Sequence, residues 1–224
     1  MKPPFQIAVF VSGSGTNLQA LLDRFSPSST AGPRVSRVVA SRPGIGAIAR
    51  AEQAGVPWSV LPAGVDSDSL AEAMLNELEL AGADLLVLAG FLKLIPEPVV
   101  RAHRGRILNI HPALLPAFGG PGMYGRRVHE AVLQSGARIS GATVHIVDEQ
   151  YDHGPIVAQW PVPVLEHDDP ETLAARVLEV EHRLLPEVVD AFAAGDLTTD
   201  PAGRPKWNRT LFRDERFVLV PSKS

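Results

Sequence analysis

Two polar side chains lie close together in an otherwise apolar stretch, Asn109 and His111 in Arg106-Ile-Leu-Asn-Ile-His-Pro112. If this stretch is a β-strand, residues two apart share one face, so the amide and the imidazole are presented together. An amide can donate to a developing oxyanion, and an imidazole can manage a proton near neutral pH. The pair therefore indicates an oxyanion site. A capped strand end whose polar residues only satisfy loop backbone groups remains the alternative.

A carboxylate that could act on this histidine occurs in the polar loop Asp148-Glu-Gln-Tyr-Asp-His-Gly-Pro155. We expect Asp152 to pair with His111, because a neighbouring carboxylate orients an imidazole and favours its charged form. A protonated His111 would be a better donor to developing negative charge. A solvated turn is the alternative for this loop. His145, on the same strand face as Thr143, is a weaker candidate for a supporting role.

A glycine-rich loop, Ser12-Gly-Ser-Gly-Thr-Asn17, separates the first apolar run from a helical pattern. Glycines let backbone N–H groups converge at a helix N-terminus, where the helix dipole favours an anion. Thr16 and Asn17 add side-chain donors. The loop lacks the Lys-Ser/Thr of a triphosphate loop, so it predicts a site for a phosphate monoester that needs no magnesium.

Two other interpretations of this loop stay open. Gly13 and Gly15 match the first two glycines of a dinucleotide fingerprint, but Leu18 occupies the third position. Arg42, after the second apolar run, could contact a 2′-phosphate, which keeps an NADP-dependent enzyme possible. A glycine-rich turn without any ligand is the second alternative.

Composition limits the remaining classes of function. The chain has 224 residues, 45% of them hydrophobic, and a net charge of −4 with scattered charges, so it has no electrostatic footprint for nucleic acid. The absence of cysteine excludes disulfides, thiolate-bound metals and a thiol nucleophile. No apolar segment is long enough for a signal peptide or a membrane span. We expect a cytoplasmic monomer or homodimer that acts on small molecules, without contact to nucleic acid or membrane and without a metal.

The functional residues fall between elements typical of an α/β protein, because short apolar runs alternate with helical patterns. The predicted strands are Ile7–Ser12, Val35–Ser41, Asp84–Ala89, Arg106–Ile110, Ala142–Val147 and Ile156–Val162. The predicted helices are Asn17–Phe25, Ile45–Ala54, Leu70–Leu80 and a last one from Asp169 to Gly195. The first four strands are almost entirely apolar, as in buried parallel sheets. The fold class is therefore α/β, with a Rossmann-like, mostly parallel open sheet covered by helices on both faces.

Local signals fix the helix ends and the organisation of the chain. Asp66 is expected to cap the third helix, and Asp169 the last one. Pro186 predicts a kink in that last helix just after Glu181. We expect one domain over 1–224, with a phosphate-binding half over about 1–100 and a catalytic half over about 101–195. After Asp196 an irregular tail is expected, with a short strand at Phe217–Val220.

Two loops are candidate walls of a binding site. Gly90-Phe-Leu-Lys-Leu-Ile-Pro96 follows a buried strand and could form an apolar slot for a flat heteroaromatic ring, although such residues often only close the core. Phe118-Gly-Gly-Pro-Gly-Met-Tyr124 could cover the site, or could be an ordinary surface loop.

Together these motifs resemble those of the folate-dependent phosphoribosylglycinamide formyltransferases of purine synthesis. The resemblance spans about residues 7–195. It is carried by Val11–Ala20, Leu88–Ile95, Ile107–Pro116, Gly141–Asp148, Tyr151–Pro155 and Val180–His182. The Asn-Ile-His-Pro and Asp-x-Gly segments occur across formyl-folate enzymes, whereas the Ser-Gly-Ser-Gly-Thr-Asn loop specifies the acceptor.

The resemblance implies a formyltransferase fold, formyl transfer from 10-formyltetrahydrofolate to the amine of 5′-phosphoribosylglycinamide, and a role for each motif. The implied catalytic residues are Asn109, His111 and Asp152. The implied acceptor-binding residues are Gly15, Thr16 and Asn17 for the phosphate, and Glu181 for the ribose hydroxyls. The implied folate-binding residues are Leu92, Lys93, Leu94, Ile95, Asn109, Asp148, Glu149, Gln150, Tyr151 and Asp152.

One departure from the family pattern is visible. Some relatives have Arg in a Phe-Asp-Ser-Arg segment, where this chain has Val65-Asp-Ser-Asp68, so an Arg contact to folate is not carried over. Asp68 is expected to favour the start of its helix instead. We expect neither the C-terminal domain of methionyl-tRNA formyltransferases nor the N-terminal domain of formyltetrahydrofolate deformylases. A phosphosugar-binding module without catalysis is disfavoured, because Asn109, His111 and Asp152 are all present.

Overall fold

The structure, a computed structural model, describes residues 4–30 and 32–208, and these residues fall into two compact units. The first unit ends at Asn109 and the second begins at Ile110. The strand predicted at Phe217–Val220 lies outside the described residues. The predicted organisation as one domain with two functional halves stays a prediction.

The first unit is built on parallel strands. They are β1 (Gln6–Val11), β2 (Arg34–Ala40), β3 (Trp58–Val60), β4 (Leu85–Leu88) and β5 (Ile107–His111), in the sheet order β3-β2-β1-β4-β5. β1 and β4 are buried almost completely, which explains their nearly uninterrupted apolar sequences. The prediction of parallel strands here is confirmed. The last two residues of β5, Ile110 and His111, already belong to the second unit.

Four helices connect these strands. They are α1 (Thr16–Arg24), α2 (Gly46–Gln53), α3 (Ser67–Ala81) and α4 (Glu97–Ala102). The predicted cap of α3 is confirmed, because the Asp66 side chain accepts a hydrogen bond of 2.8 Å from the backbone N–H of Ser69. Asp68 lies in the first turn of α3, where its negative charge interacts favourably with the positive end of the helix dipole. The six residues of α4 and the three residues of β3 were too short to be predicted.

The parallel sheet brings two of the predicted loops together. Because β1 and β4 are neighbours, the loops that follow their carboxyl ends lie at the same edge of the sheet. The Ser12 hydroxyl accepts a hydrogen bond of 3.0 Å from the backbone N–H of Leu92. Below this bond, the rings of Phe10 and Phe91 pack edge to face with centroids 5.5 Å apart. These two contacts therefore connect the glycine-rich loop and its strand to the segment Gly90–Pro96, which was predicted to form an apolar slot.

The second unit contains an antiparallel strand pair and a long helix. Its elements are α5 (Arg126–Gln134), β6 (Ile139–Ile146), β7 (Ile156–Pro163), α6 (Pro170–Ala194), β8 (Leu197–Thr199) and β9 (Pro205–Trp207). β6 pairs with β7, and the register shifts between Val144 and His145. A capping box of Asp169 and Thr172 begins α6, as predicted from the acidic cap before Pro170. The helix continues through Pro186 to Ala194, and the kink just after Glu181 stays a prediction.

The segment after Asp196 differs from the irregular tail that was predicted. β8 and β9 form a small antiparallel sheet, and the Trp207 side-chain N–H donates to the carbonyl of Val157 at 3.1 Å. Leu197 is buried. Strands of three residues leave no periodic pattern in a sequence, so this hairpin could be recognised only from its packing.

The predicted Rossmann-like, mostly parallel α/β class is confirmed. Within residues 4–30 and 32–208, none of the helices combines the length and apolar character that crossing a membrane requires. The expected cytoplasmic location and oligomeric state stay predictions.

Candidate active site

The glycine-rich loop ends in a turn that only glycine can form. Gly15 has φ +77°, and a Cβ atom there would lie 2.7 Å from the Cα of Ala47 on α2. The backbones of the loop and of α2 are therefore in direct contact. Gly13, two residues earlier, has open space around the position of its missing Cβ. The two glycines thus have different roles, and only Gly15 is required by packing.

The glycine-rich loop leads directly into the N-terminus of α1. No side chain caps this helix, and its first turn contains no acidic residue. Gly15, Thr16 and Asn17 occupy one turn, with Asn17 buried. Their backbone N–H groups lie at the positive end of the helix dipole, an arrangement that favours an anion. The structure thus groups the three residues predicted to bind phosphate.

The predicted pairing of His111 with Asp152 is present in the second unit. The His111 Nδ1 atom lies 3.5 Å from Asp152 Oδ2, and both side chains are largely buried. The other ring nitrogen, Nε2, is 2.8 Å from the carbonyl oxygen of Phe118. Because a carbonyl only accepts, Nε2 carries the proton in this contact. Asn109 precedes His111 by two residues on β5, so strand alternation places both side chains on one face.

Asp152 contacts two histidines rather than one. Its Oδ1 atom lies 3.6 Å from Nε2 of His145, and its Oδ2 atom accepts a hydrogen bond of 2.9 Å from the backbone N–H of Gly120. The second ring nitrogen of His145 donates to the carbonyl of Ile146 at 2.9 Å. His145, a weaker candidate in the sequence, is therefore part of the cluster. We name His111, Asp152 and His145 the carboxylate-histidine cluster.

Burial and charge have opposite effects on the pKa values of this cluster. Burial lowers the pKa of His111 below its ordinary value, and the charge of Asp152 and the Phe118 carbonyl offset this only in part. Burial alone would raise the pKa of Asp152, but the His145 contact, the His111 charge and the Gly120 N–H together lower it. Burial thus opposes the expectation that Asp152 favours the charged form of His111, and the catalytic role of the pair stays a prediction.

The backbone around the cluster is unusual. Phe118 (φ +56°) and Asp152 (φ +53°) are the two non-glycine residues with positive φ within the described part of the chain. Such a conformation is costly for a bulky residue and persists only where surrounding contacts impose it. A Cβ atom at Gly119 would lie 3.1 Å from that of Asp152. The predicted cover segment thus begins in contact with the cluster.

The predicted folate-binding residues of the first unit form an exposed apolar edge. Leu92 is 49% exposed and Leu94 is 43% exposed, an unusual state for leucine, whereas Ile95 is buried. Lys93 lies between the two exposed leucines and is half-buried. The two leucines present exposed apolar surface, and the slot for a flat ligand stays a prediction.

The predicted residues of the second unit have different surroundings. The Asp148 carboxylate binds the Gln150 backbone N–H at 2.9 Å and the His153 ring at 2.7 Å, so it shapes the turn itself. Glu149, Gln150 and Tyr151 are exposed. Glu181, on α6, is a buried carboxylate. Binding roles for these residues stay predictions.

Sequence reasoning missed one buried histidine. His129 lies on α5, and its Nδ1 atom has no hydrogen-bond partner among the described residues. Burial, followed by the charge of His111, lowers the pKa of His129. Because α5 was not predicted, this histidine had no structural context in the sequence. No three His, Asp or Glu side chains of the described ranges are grouped as ligands for a metal ion.

Comparison with known proteins identifies relatives of this chain. A family model described as "Formyl transferase" matches residues 5–189. The chloroplastic phosphoribosylglycinamide formyltransferase of Arabidopsis thaliana is 48% identical over 189 residues, which are 83% of this chain and 64% of that protein. The chain therefore spans less than two thirds of that relative's length. The phosphoribosylglycinamide formyltransferase of Bacillus subtilis is 35% identical over 82% of this chain and 92% of its own length.

A solved structure with a similar fold is the glycinamide ribonucleotide transformylase 1 of Symbiobacterium toebii. It superposes with a TM-score of 0.80 at 38% identity, covering 92% of this chain and 93% of the other.

The two glycines of the loop provide a matched test of its packing. Gly15→Ala should lower the free energy of unfolding by about 2–4 kcal/mol, because it adds a left-handed alanine and an overpacked contact with α2. Gly13→Ala should change it by less than about 0.5 kcal/mol. Urea denaturation of both variants measures the difference. Equal stability of the two variants would contradict the required close approach at Gly15.

The carboxylate-histidine cluster predicts opposite pKa shifts at His111 in two variants. Asp152→Asn removes the charge that raises the pKa of His111 and should lower that pKa further. His145→Asn removes a charge that lowers it and should raise it. NMR titration of the His111 ring protons, assigned with His111→Asn, measures both shifts. Shifts of the same sign would show that the two residues do not act through their charges.

Proposed function

Because the chain belongs to the formyl transferase family, we propose that it transfers a formyl group from 10-formyltetrahydrofolate to the amine of 5′-phosphoribosylglycinamide, a step of de novo purine (IMP) synthesis. The observation that carries the proposal is the His111–Asp152 contact at the end of the strand that also presents Asn109. The names of the Arabidopsis and Bacillus relatives support the choice of acceptor.

The proposed acceptor site uses the turn Gly15-Thr16-Asn17 for the phosphate. An acid-free helix N-terminus supplies converging N–H groups without a metal, which suits a phosphate monoester. Glu181 would accept hydrogen bonds from the ribose hydroxyls. A buried carboxylate is a strong acceptor for such groups, because few water molecules compete with it.

The proposed donor site uses apolar surface and loop backbone. The exposed side chains of Leu92 and Leu94, with their neighbours Lys93 and Ile95, would lie against the pterin-like ring. The loop Asp148–Asp152, which includes Glu149, Gln150 and Tyr151, would contact its polar edge. Asn109 would bind the formyl oxygen. These assignments follow the resemblance of the motifs and the exposure of the two leucines.

Formyl transfer then requires stabilisation of one oxyanion. The acceptor amine attacks the formyl carbon, a C–N bond forms, and the carbonyl electron pair moves onto oxygen. The Asn109 amide and the His111 ring would donate to that oxygen, while Asp152 holds the ring. When the oxyanion collapses, the bond to the folate nitrogen breaks, and that nitrogen gains the proton that the amine loses.

The Phe118 carbonyl gives this mechanism a geometric requirement. It accepts the His111 Nε2–H at 2.8 Å, and an oxyanion that used the same N–H would have to replace it. We therefore expect the segment that begins at Phe118 to shift when both substrates bind.

The activity is tested directly with the purified protein. Mixing it with 10-formyltetrahydrofolate and 5′-phosphoribosylglycinamide should give an absorbance change from deformylated folate that depends on the acceptor. The analogue without the phosphate should give far less product at equal concentration, because the helix N-terminus then has no anion to bind. Deformylation that is independent of the acceptor would contradict the proposal.

Two variants test the oxyanion site. His111→Ala and Asn109→Ala should each lower kcat about a hundredfold, the usual loss for one oxyanion donor, which corresponds to about 3 kcal/mol of transition-state stabilisation. Acceptor binding, measured by calorimetry, should persist in both variants because the phosphate turn is unchanged. A kcat within threefold of the unchanged protein would remove the replaced residue from the mechanism.

A further inference from the structure

Arg50 on α2 contacts the proposed phosphate loop through its guanidinium group. Its Nε atom donates to the carbonyl of Ser14 at 2.9 Å, and its Nη1 atom donates to the Gln19 side chain at 3.0 Å. One guanidinium therefore bridges the loop and the first turn of α1. Gln19 in turn donates to Asp23 at 2.8 Å.

A second contact from α2 acts on the adjacent peptide group. The backbone N–H of Ala47 donates to the carbonyl of Gly13 at 3.2 Å. The carbonyls of Gly13 and Ser14 therefore both point toward α2. In a trans peptide the N–H lies on the opposite side from the C=O of the same group. The N–H groups of Ser14 and Gly15 consequently point away from α2.

Within the described part of the chain, Arg50 forms no ion pair that would neutralise its charge. Both of its hydrogen-bond partners are uncharged oxygens, and no carboxylate within residues 4–30 and 32–208 pairs with it. The side chain is half-buried, so water screens its charge less than that of a surface arginine. It contributes a positive potential behind a loop that contains no cationic residue of its own.

We propose that Arg50 is a positioning residue of the acceptor site, which orients the Gly15 N–H toward the phosphate monoester and adds a fixed positive charge behind it. This inference rests on the proposed function for the identity of the acceptor. It assigns Arg50 no contact with the reacting atoms. Arginine suits the role because its planar fork can hold two acceptors at once, which the single ammonium of lysine cannot do in the same geometry.

Three variants test this proposal by steady-state kinetics. Arg50→Met keeps the apolar stem and should raise the KM for the acceptor about tenfold. The KM for 10-formyltetrahydrofolate should stay within twofold, and kcat within threefold. Arg50→Lys keeps the charge and should give an intermediate KM for the acceptor. Arg101→Met, which removes an exposed arginine of the same unit, is the control and should leave all three constants unchanged.

A binding measurement separates this proposal from the proposed function. Calorimetry with ribose 5-phosphate should show about tenfold weaker binding to Arg50→Met than to the unchanged protein, and unchanged binding to Arg101→Met. This result would stand even if no formyl transfer were observed. Equal affinity of Arg50→Met and the unchanged protein would overturn the proposal, as would a parallel rise of both KM values.

Discussion

The largely buried carboxylate of Asp152 is the charge around which three segments of the second unit are arranged. A carboxylate removed from water needs donors or opposite charge to remain ionised. Here it has the Gly120 N–H on Oδ2, with His111 at the same oxygen and His145 at the other. Each of these partners comes from a different segment. The requirement to satisfy one charge therefore fixes the relative positions of three segments of this unit.

Close backbone approaches make this arrangement possible. Gly119 brings its segment against Asp152, where a Cβ atom would also lie 2.5 Å from a methyl carbon of Leu115. Gly154, two residues after Asp152, passes the carbonyl of Ile146 so closely that a Cβ atom would lie 1.9 Å from it. Gly119 and Gly154 are thus required for the packing around the carboxylate-histidine cluster. Asp152 itself has a left-handed backbone conformation, which is energetically unfavourable and accompanies the inward position of its carboxylate.

The sequence predicted those features whose causes are local. Alternation within five residues placed Asn109 and His111 on one strand face, and side-chain caps at Asp66 and Asp169 marked two helix starts. The family resemblance followed from such short motifs and is confirmed. Helix α5 escaped prediction because its N-cap residue, Gly125, has no side chain that could cap the helix. The closeness of His145 to Asp152 also escaped a firm prediction, since it involves a register shift between β6 and β7 that only the paired strands define.

The direction in which the pKa of His111 shifts could not be predicted from sequence patterns. It depends on whether burial or the nearby charge of Asp152 has the larger effect. The sequence motifs predicted a carboxylate partner and hence a charged imidazole. In the structure, burial lowers the pKa of His111 more than the charge of Asp152 raises it. Under the proposed mechanism this favours catalysis. A histidine with a lowered pKa is less readily charged in the ground state, and the oxyanion supplies the negative charge that draws the proton or strengthens the hydrogen bond. Stabilisation that appears only with the transition-state charge lowers the barrier, whereas stabilisation already present in the bound substrate does not.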